Sequence, residues 1–416
     1  MDADKNDGNV TAVNDNGEKW ANVMLRDGCN GSTTFNGSMM VWIPRYTYRI
    51  DKTNKRIYIK YTAGVADDTS GGYQKHPAFK LGSQELTGIW VAKFEASPKE
   101  GVDNHATNNT NGDSIAGDDV TTKHVQIKPD VSSWRYISIG KIFTACRNMN
   151  TDTSYGWTKT NLVDTHQMRN TEWGAVAYLT EAIRDGEEVW VNNYWSDPNT
   201  KTGASATTQN AGSTTTVNTY AQNIDGTYYA GGAKASTTGN IYGIYDMSGC
   251  GHEYVAAYMD NGDHTLTSGA SSMGNNNVKT YGAILANTSN SKYVDKYEAD
   301  PTDNSTSTWA DNANAQTVAN LNLAKWITKT GDALYEVIST VAGYNSTASA
   351  RQGTTTNAWY SDYTLGNWKY HSFFLRGGSY GYCSGAGVFA LYGSHGSPND
   401  ARAFRVCVCP LVSPLN

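Results

Sequence analysis

Three groups of residues in this 416-residue chain carry side chains that could do chemistry. Cys383, Cys407 and Cys409 offer thiols, which suit a soft metal ion or nucleophilic attack. His252-Glu253, within Gly-Cys-Gly-His-Glu-Tyr, offers an imidazole and a carboxylate for metal ligation or proton transfer. His395 and Asp400 could act as a base and the group that orients it. The surroundings favour plainer roles. Cys407 and Cys409 stand two apart in a strand pattern and so share a face. No further ligand lies nearby at zinc-type spacing, and no metal is assigned. Six scattered cysteines (Cys29, Cys146, Cys250, Cys383, Cys407, Cys409) do not form a disulfide framework, so buried thiols are expected. Asp260-Asn261-Gly262-Asp263 begins like a calcium loop but lacks the later bidentate Glu. No activated Ser or Cys accompanies His395 and Asp400, which therefore read as ligand contacts.

The densest set of functional side chains lies between Phe373 and Pro410. Leu375-Arg376-Gly377-Gly378 and Ala403-Phe404-Arg405-Val406 bracket a run of unrelated residues: Tyr380, Tyr382, Cys383, Tyr392, Ser394, His395, Asn399, Asp400 and Arg402. They follow neither a helical nor a strand period. Tyr supplies large contact area with few rotors, and Ser, Gly and Asn supply adaptable hydrogen bonds, which is the chemistry of a paratope.

A scaffold must hold that run still. Residues 39–50 and 56–61 read as two strands joined by a polar turn, and Gly88–Phe94 as a third. Ile139, Ile142, Phe143 and Cys146 recur at helical spacing, as do Val176, Leu179, Thr180 and Ile183, with Thr171 the expected N-cap and Gly186 the expected stop. Val388-Phe389 reads as a short strand. Phe404, Val406 and Val408 alternate with Arg405, Cys407 and Cys409, as in a half-buried strand. Asn/Thr/Ser/Gly-rich stretches at 197–240 and 260–320 read as insertions decorating one core, and residues 1–34 as a peripheral segment before a domain spanning 35–416. The net charge of −6, with no Lys/Arg-rich run, argues against nucleic acid as partner. The chain as given has neither a signal-peptide pattern nor an apolar run of membrane-spanning length, so membrane insertion is not expected.

Several segments together resemble a known family. Asn240-Ile241-Tyr242-Gly243-Ile244-Tyr245-Asp246-Met247-Ser248-Gly249, followed by His252-Glu253-Tyr254-Val255, is similar to the N-x-x-G-L-Y-D-M-x-G-N-x-x-E-W signature of the formylglycine-generating-enzyme-like branch of the C-type lectin fold. Leu375-Arg376-Gly377-Gly378-Ser379 and Phe404-Arg405-Val406 resemble its R-G-G-S and F-R frame. Met40–Pro44 and Met168–Ala175 look like segments of a Firmicutes and prophage subgroup. The resemblance covers roughly residues 35–410, the insertions excepted. It implies an α+β, loop-rich C-type lectin fold.

Two functions occur in this branch. The enzyme is a copper-dependent oxidoreductase with a cysteine pair just after R-G-G-S. Its first cysteine position is Tyr382 here, and Cys383 is one residue out of place without a partner nearby, so the chain is not expected to be an enzyme of that type. The other function is that of a diversity-generating retroelement variable protein, in which an error-prone reverse transcriptase substitutes template adenines between the two anchors. Asn codons rewritten in this way cannot specify Lys, Glu, Gln, Met or Trp, and none of these occurs between Gly377 and Ala403. Gly385–Phe389 is similar to a spacer between two variable clusters. The resemblance thus implies a hypervariable region at about 376–406. Its ligand-binding set is Ser379, Tyr380, Gly381, Tyr382, Cys383, Ser384 and Gly385, then Ala390, Tyr392, Gly393, Ser394, His395, Ser397, Asn399, Asp400, Ala401 and Arg402. Arg376, Gly377, Gly378, Val388, Phe389, Phe404, Arg405 and Val406 form the frame. The expected partner is a protein or other surface ligand, met as a receptor-binding protein or adhesin on a virion or bacterial surface. No cofactor is assigned, although many lectin-fold proteins hold a structural calcium. An undiversified adhesin domain on the same scaffold is the remaining alternative.

Overall fold

Two sheets meet where the C-terminal segment crosses from one to the other. The computed structural model describes residues 20–25, 37–100, 117–129, 131–152, 155, 163–192, 202–206, 217–219, 232–260, 281–298, 329–338, 359–365, 367 and 371–411. The first sheet runs Asn22–Met24, Met39–Pro44, Gly88–Ala92, Val406–Pro410, Val163–Gln167, with every neighbouring pair antiparallel. The second is built on His252–Asp260. Phe373–Arg376 pairs antiparallel on one side, followed outward by Leu391–Ser394 and Thr364–Leu365. On the other side Arg402–Phe404 and Asp295–Glu298 lie parallel to successive parts of the same strand. Helices and strands are both substantial and largely segregated along the chain, which makes this an α+β protein.

The helices occupy the places that their apolar spacing predicts. Ile139–Asn148 buries Ile139, Ile142, Phe143 and Cys146. Asn170–Arg184 buries Val176, Leu179 and Thr180 with Trp173 on the same stripe, and Ala175 and Tyr178 on another side, so it is a core helix. Its start differs from expectation. Thr171 lies inside the first turn because Arg169 is the cap: the Glu172 carboxylate accepts the Arg169 backbone N–H at 2.8 Å, and Asp295 accepts that of Thr171 at 2.7 Å. These carboxylates satisfy donors that helix N-termini leave open. The helix ends at a left-handed Asp185, just before Gly186.

Other elements also depart from the sequence reading. Residues 39–50 form two strands in different sheets, divided at Arg45. The buried Arg45 guanidinium donates to Asp67 and to the carbonyls of Phe79 and Leu86. Val388-Phe389 is a turn closed by Ala390 N–H to Gly387 O at 2.9 Å, not a strand. Residues 402–410 are two strands divided at Arg405, and the second buries successive residues from Val406 to Cys409, so both of its faces are covered. The 1–34 segment is not wholly peripheral, because Trp20, Val23 and Leu25 are core residues and Asn22–Met24 adds a strand. The supposed insertions also reach the core. Asp295–Glu298 joins the second sheet, and Gly203 N–H donates to buried Asp246. Cys29 and Asn261–Asp263 lie outside the described residues.

Candidate functional site

The buried residues that bracket 379–402 come first, because they fix where that run lies. Arg376, Phe404, Arg405 and Val406 are fully buried, and Phe389 packs edge-on against Trp359. Gly377 and Gly378 have φ of +81° and +71°, a left-handed backbone that a side chain disfavours. A Cβ on Gly378 would also meet Ala386 Cα at 2.7 Å. This double glycine turns the chain out of the second sheet into the turn Tyr380–Gly385. Arg405 closes the other end. Its guanidinium donates to both Glu253 oxygens at 2.6 and 3.1 Å, to Ala92 O at 2.7 Å and to Tyr245 O at 2.8 Å. One buried side chain therefore joins both sheets and the 240–250 loop. Arg376 donates to Ala333 O at 2.8 Å.

Strand register then collects residues from four segments. Arg402 lies opposite His252, Tyr254 opposite Leu375, and Leu375 opposite Tyr392, so these side chains share one face of the second sheet. On that face Tyr392 stacks on His252 with centroids 5.6 Å apart, and Tyr382 meets the same imidazole edge-on at 5.0 Å. Tyr363 completes the group, 4.6 Å from Tyr382 and 6.0 Å from Tyr392. Beside it, Arg402 Nη1 donates to Tyr254 Oη, Ser397 O and Ser397 Oγ, each at 3.0 Å. Burial lowers the His252 pKa to about 3, with a smaller push from Arg402, so the imidazole is a neutral packing surface. Burial and Arg402 likewise lower His395 to about 4. The patch is thus aromatic and hydrogen-bonding, with the Arg402 guanidinium beside it and the Asp400 side chain exposed.

The structure divides the seventeen positions of the sequence-based binding set. Gly381, Ser384 and Asp400 are exposed, and Tyr380, Tyr382, Cys383, Gly385, Tyr392, His395, Ser397, Asn399, Ala401 and Arg402 are partly exposed. Ser379, Ala390, Gly393 and Ser394 are buried, so the structure does not place them on the exposed surface where the sequence reading put them. Ser394 shows why: its hydroxyl is bonded to Tyr254 Oη at 2.7 Å and accepts Gly396 N–H at 3.2 Å beneath the following loop. In the frame, Val388 is 8% exposed and lines a small surface cleft with Glu181, Tyr360 and Asp362. Sequence reading missed Tyr363 and the floor formed by Tyr254. The Tyr254 signal was present in the His-Glu-Tyr alternation of its strand, whereas Tyr363 carried none.

Cys383 adopts φ +47° in the surface turn, whereas Cys407 and Cys409 lie buried in the first sheet. A structural calcium would look for carboxylates such as buried Glu95, Asp246 and Glu253. Arg405 already supplies positive charge there, and any cation would share Glu253 with it. Among the described residues no helix is long and apolar enough to cross a membrane. No family model matches the sequence, and no curated protein matches it.

Proposed function

We propose that the chain is a ligand-binding protein on a C-type lectin scaffold of the formylglycine-generating-enzyme-like branch, with a surface between Gly377 and Ala403 diversified by a retroelement. One observation carries the reading. Exposed and half-exposed residues of mixed chemistry fall in two runs, 380–385 and 392–402, the second interrupted by buried Gly393, Ser394 and Gly396, while the anchors 373–379, 386–391 and 403–409 are buried around them. A surface meant to change needs that division, since substitutions at exposed positions usually stay within about 0.5 kcal/mol of neutral. The patch is rich in Tyr, which suits a protein or other macromolecular surface ligand. The corresponding setting is a virion or bacterial surface.

A library tests this. Codons for Gly381, Tyr382, Ser384, Tyr392, His395, Asn399, Asp400 and Arg402 are randomised with a pyrimidine third base, and the fraction of folded, protease-resistant members is counted. Most members fold if the patch is a display surface. A library in which most members unfold assigns these residues to the core and refutes the proposal.

A further inference from the structure

The two cysteines of Val406–Pro410 meet chemistry that their own neighbourhood in sequence does not contain. Cys407 lies directly opposite His166 in the antiparallel pair, and Cys409 opposite Asp164, so all four side chains leave the sheet on one face. That face looks onto the first turn of the helix Asn170–Arg184. There the Glu172 carboxylate stands 3.0 and 3.2 Å from His166 Nε2, with the Cys407 thiol beside it. Donor atoms of His166, Glu172 and Cys409 all lie within 4.8 Å of one another, and all four residues are fully buried.

We infer that His166, Glu172, Cys407 and Cys409 form a closed structural zinc site that ties the C-terminal strand to the second helix. Two thiolates, an imidazole and a carboxylate are a donor set that tetrahedral zinc accepts, and complete enclosure is usual for structural sites. Charge balance supports the assignment. Without metal, two thiols, the Glu172 carboxylate and the Arg169 guanidinium, 2.8 Å from Glu172, sum to zero. With Zn²⁺ and two thiolates the sum is again zero, so loading leaves no uncompensated buried charge. Loading breaks two S–H bonds, forms two Zn–S bonds and releases two protons to solvent, with no change of oxidation state. Behind the imidazole, Asp164 Oδ1 stands 3.9 Å from His166 Nδ1, and Asp164 is itself held by Arg147, Lys292 and Tyr293. That separation is too long for a hydrogen bond, so Asp164 adds negative charge behind the imidazole without fixing its orientation. Because the centre is closed, the ion enters as the chain folds. This assignment is independent of what the display surface binds.

The full chain, produced with zinc supplied and freed of any affinity tag, is analysed for metal by mass spectrometry and then loaded with Co²⁺. One zinc per chain is expected, together with a thiolate-to-cobalt charge-transfer band and the visible bands of tetrahedral cobalt. Cys409→Ser and Cys407→Ser each lose bound zinc and weaken the band, whereas Cys383→Ser, in the surface turn, retains both. A folded parent chain that binds no stoichiometric zinc overturns the assignment, as does a charge-transfer band that survives both serine substitutions. Should those variants fail to fold, the parent cobalt spectrum decides alone: absence of the band refutes the site.

Discussion

Arg405 and Glu253 form a two-bonded ion pair, 2.6 and 3.1 Å long, in which neither side chain reaches solvent. The pair lies where the chain passes from Arg402–Phe404 in one sheet to Val406–Pro410 in the other. Buried pairs gain little over an apolar substitute, but removing one partner strands a charge. Arg405→Met and Glu253→Leu are each expected to destabilise the protein by about 3–5 kcal/mol. The double variant should recover part of that loss in a chemical-denaturation cycle. Two losses that simply add would mean the residues are not coupled.

Gly378 and Ser384 stand six positions apart and should respond in opposite ways. An alanine at 378 must hold left-handed φ and displace Ala386, at a cost of about 1–3 kcal/mol from the backbone alone. Ser384 is exposed, so Ser384→Ala should change stability by no more than about 0.5 kcal/mol. Paired melting curves check the contrast. Equal effects would contradict the division between frame and display.

Ser394 gives a third test, because the sequence placed it among the ligand contacts. Its buried bond to Tyr254 predicts that Ser394→Ala costs about 1 kcal/mol of stability. Ser394→Asp should cost more, since it buries a charge. Neutrality of both variants would return Ser394 to the surface.

How much of this was legible in the sequence follows from which residues have few alternative uses. Paired glycines and lone arginines in an apolar segment signal forced turns and buried hydrogen bonds, and Gly377, Gly378, Arg376 and Arg405 sit accordingly. The boundary of the exposed surface was not legible. Tyr392 and Ser394 leave their strand on the same side, yet only Ser394 is covered, by Tyr254 and the loop through Ser397. Nothing local to residue 394 encodes that cover. Arg45 likewise divides an apolar run that reads as one strand, because its partners Asp67, Phe79 and Leu86 come from later turns. The grouping of His166 and Glu172 with Cys407 and Cys409 depends on strand pairing between distant segments.

Buried Glu336 predicts a pH dependence. Its carboxyl is pushed up to about 8 by burial, with Tyr178 Oη 2.6 Å away on one oxygen. Between the ordinary value of 4.5 and about 8, the folded protein keeps a proton that the unfolded chain has released. Stability from this group is complete below that window and is lost as pH rises through it, at up to about 1.4 kcal/mol per pH unit. Glu336→Gln removes the term, so the variant should gain on the parent as pH rises from 4.5 to about 8. Melting curves of the two proteins across that range check it. Parallel profiles would mean that Glu336 is already ionised in the folded state.

Natural variation tests the central claim most directly. The DNA encoding Leu375–Val406 is sequenced in sister isolates, and the flanking DNA is searched for a near-copy of that segment. The account predicts differences confined to adenine positions of the copy, with amino-acid changes falling on the exposed runs 380–385 and 392–402 while Arg376, Gly377, Gly378, Phe404 and Arg405 stay fixed. An invariant segment with no near-copy would contradict diversification.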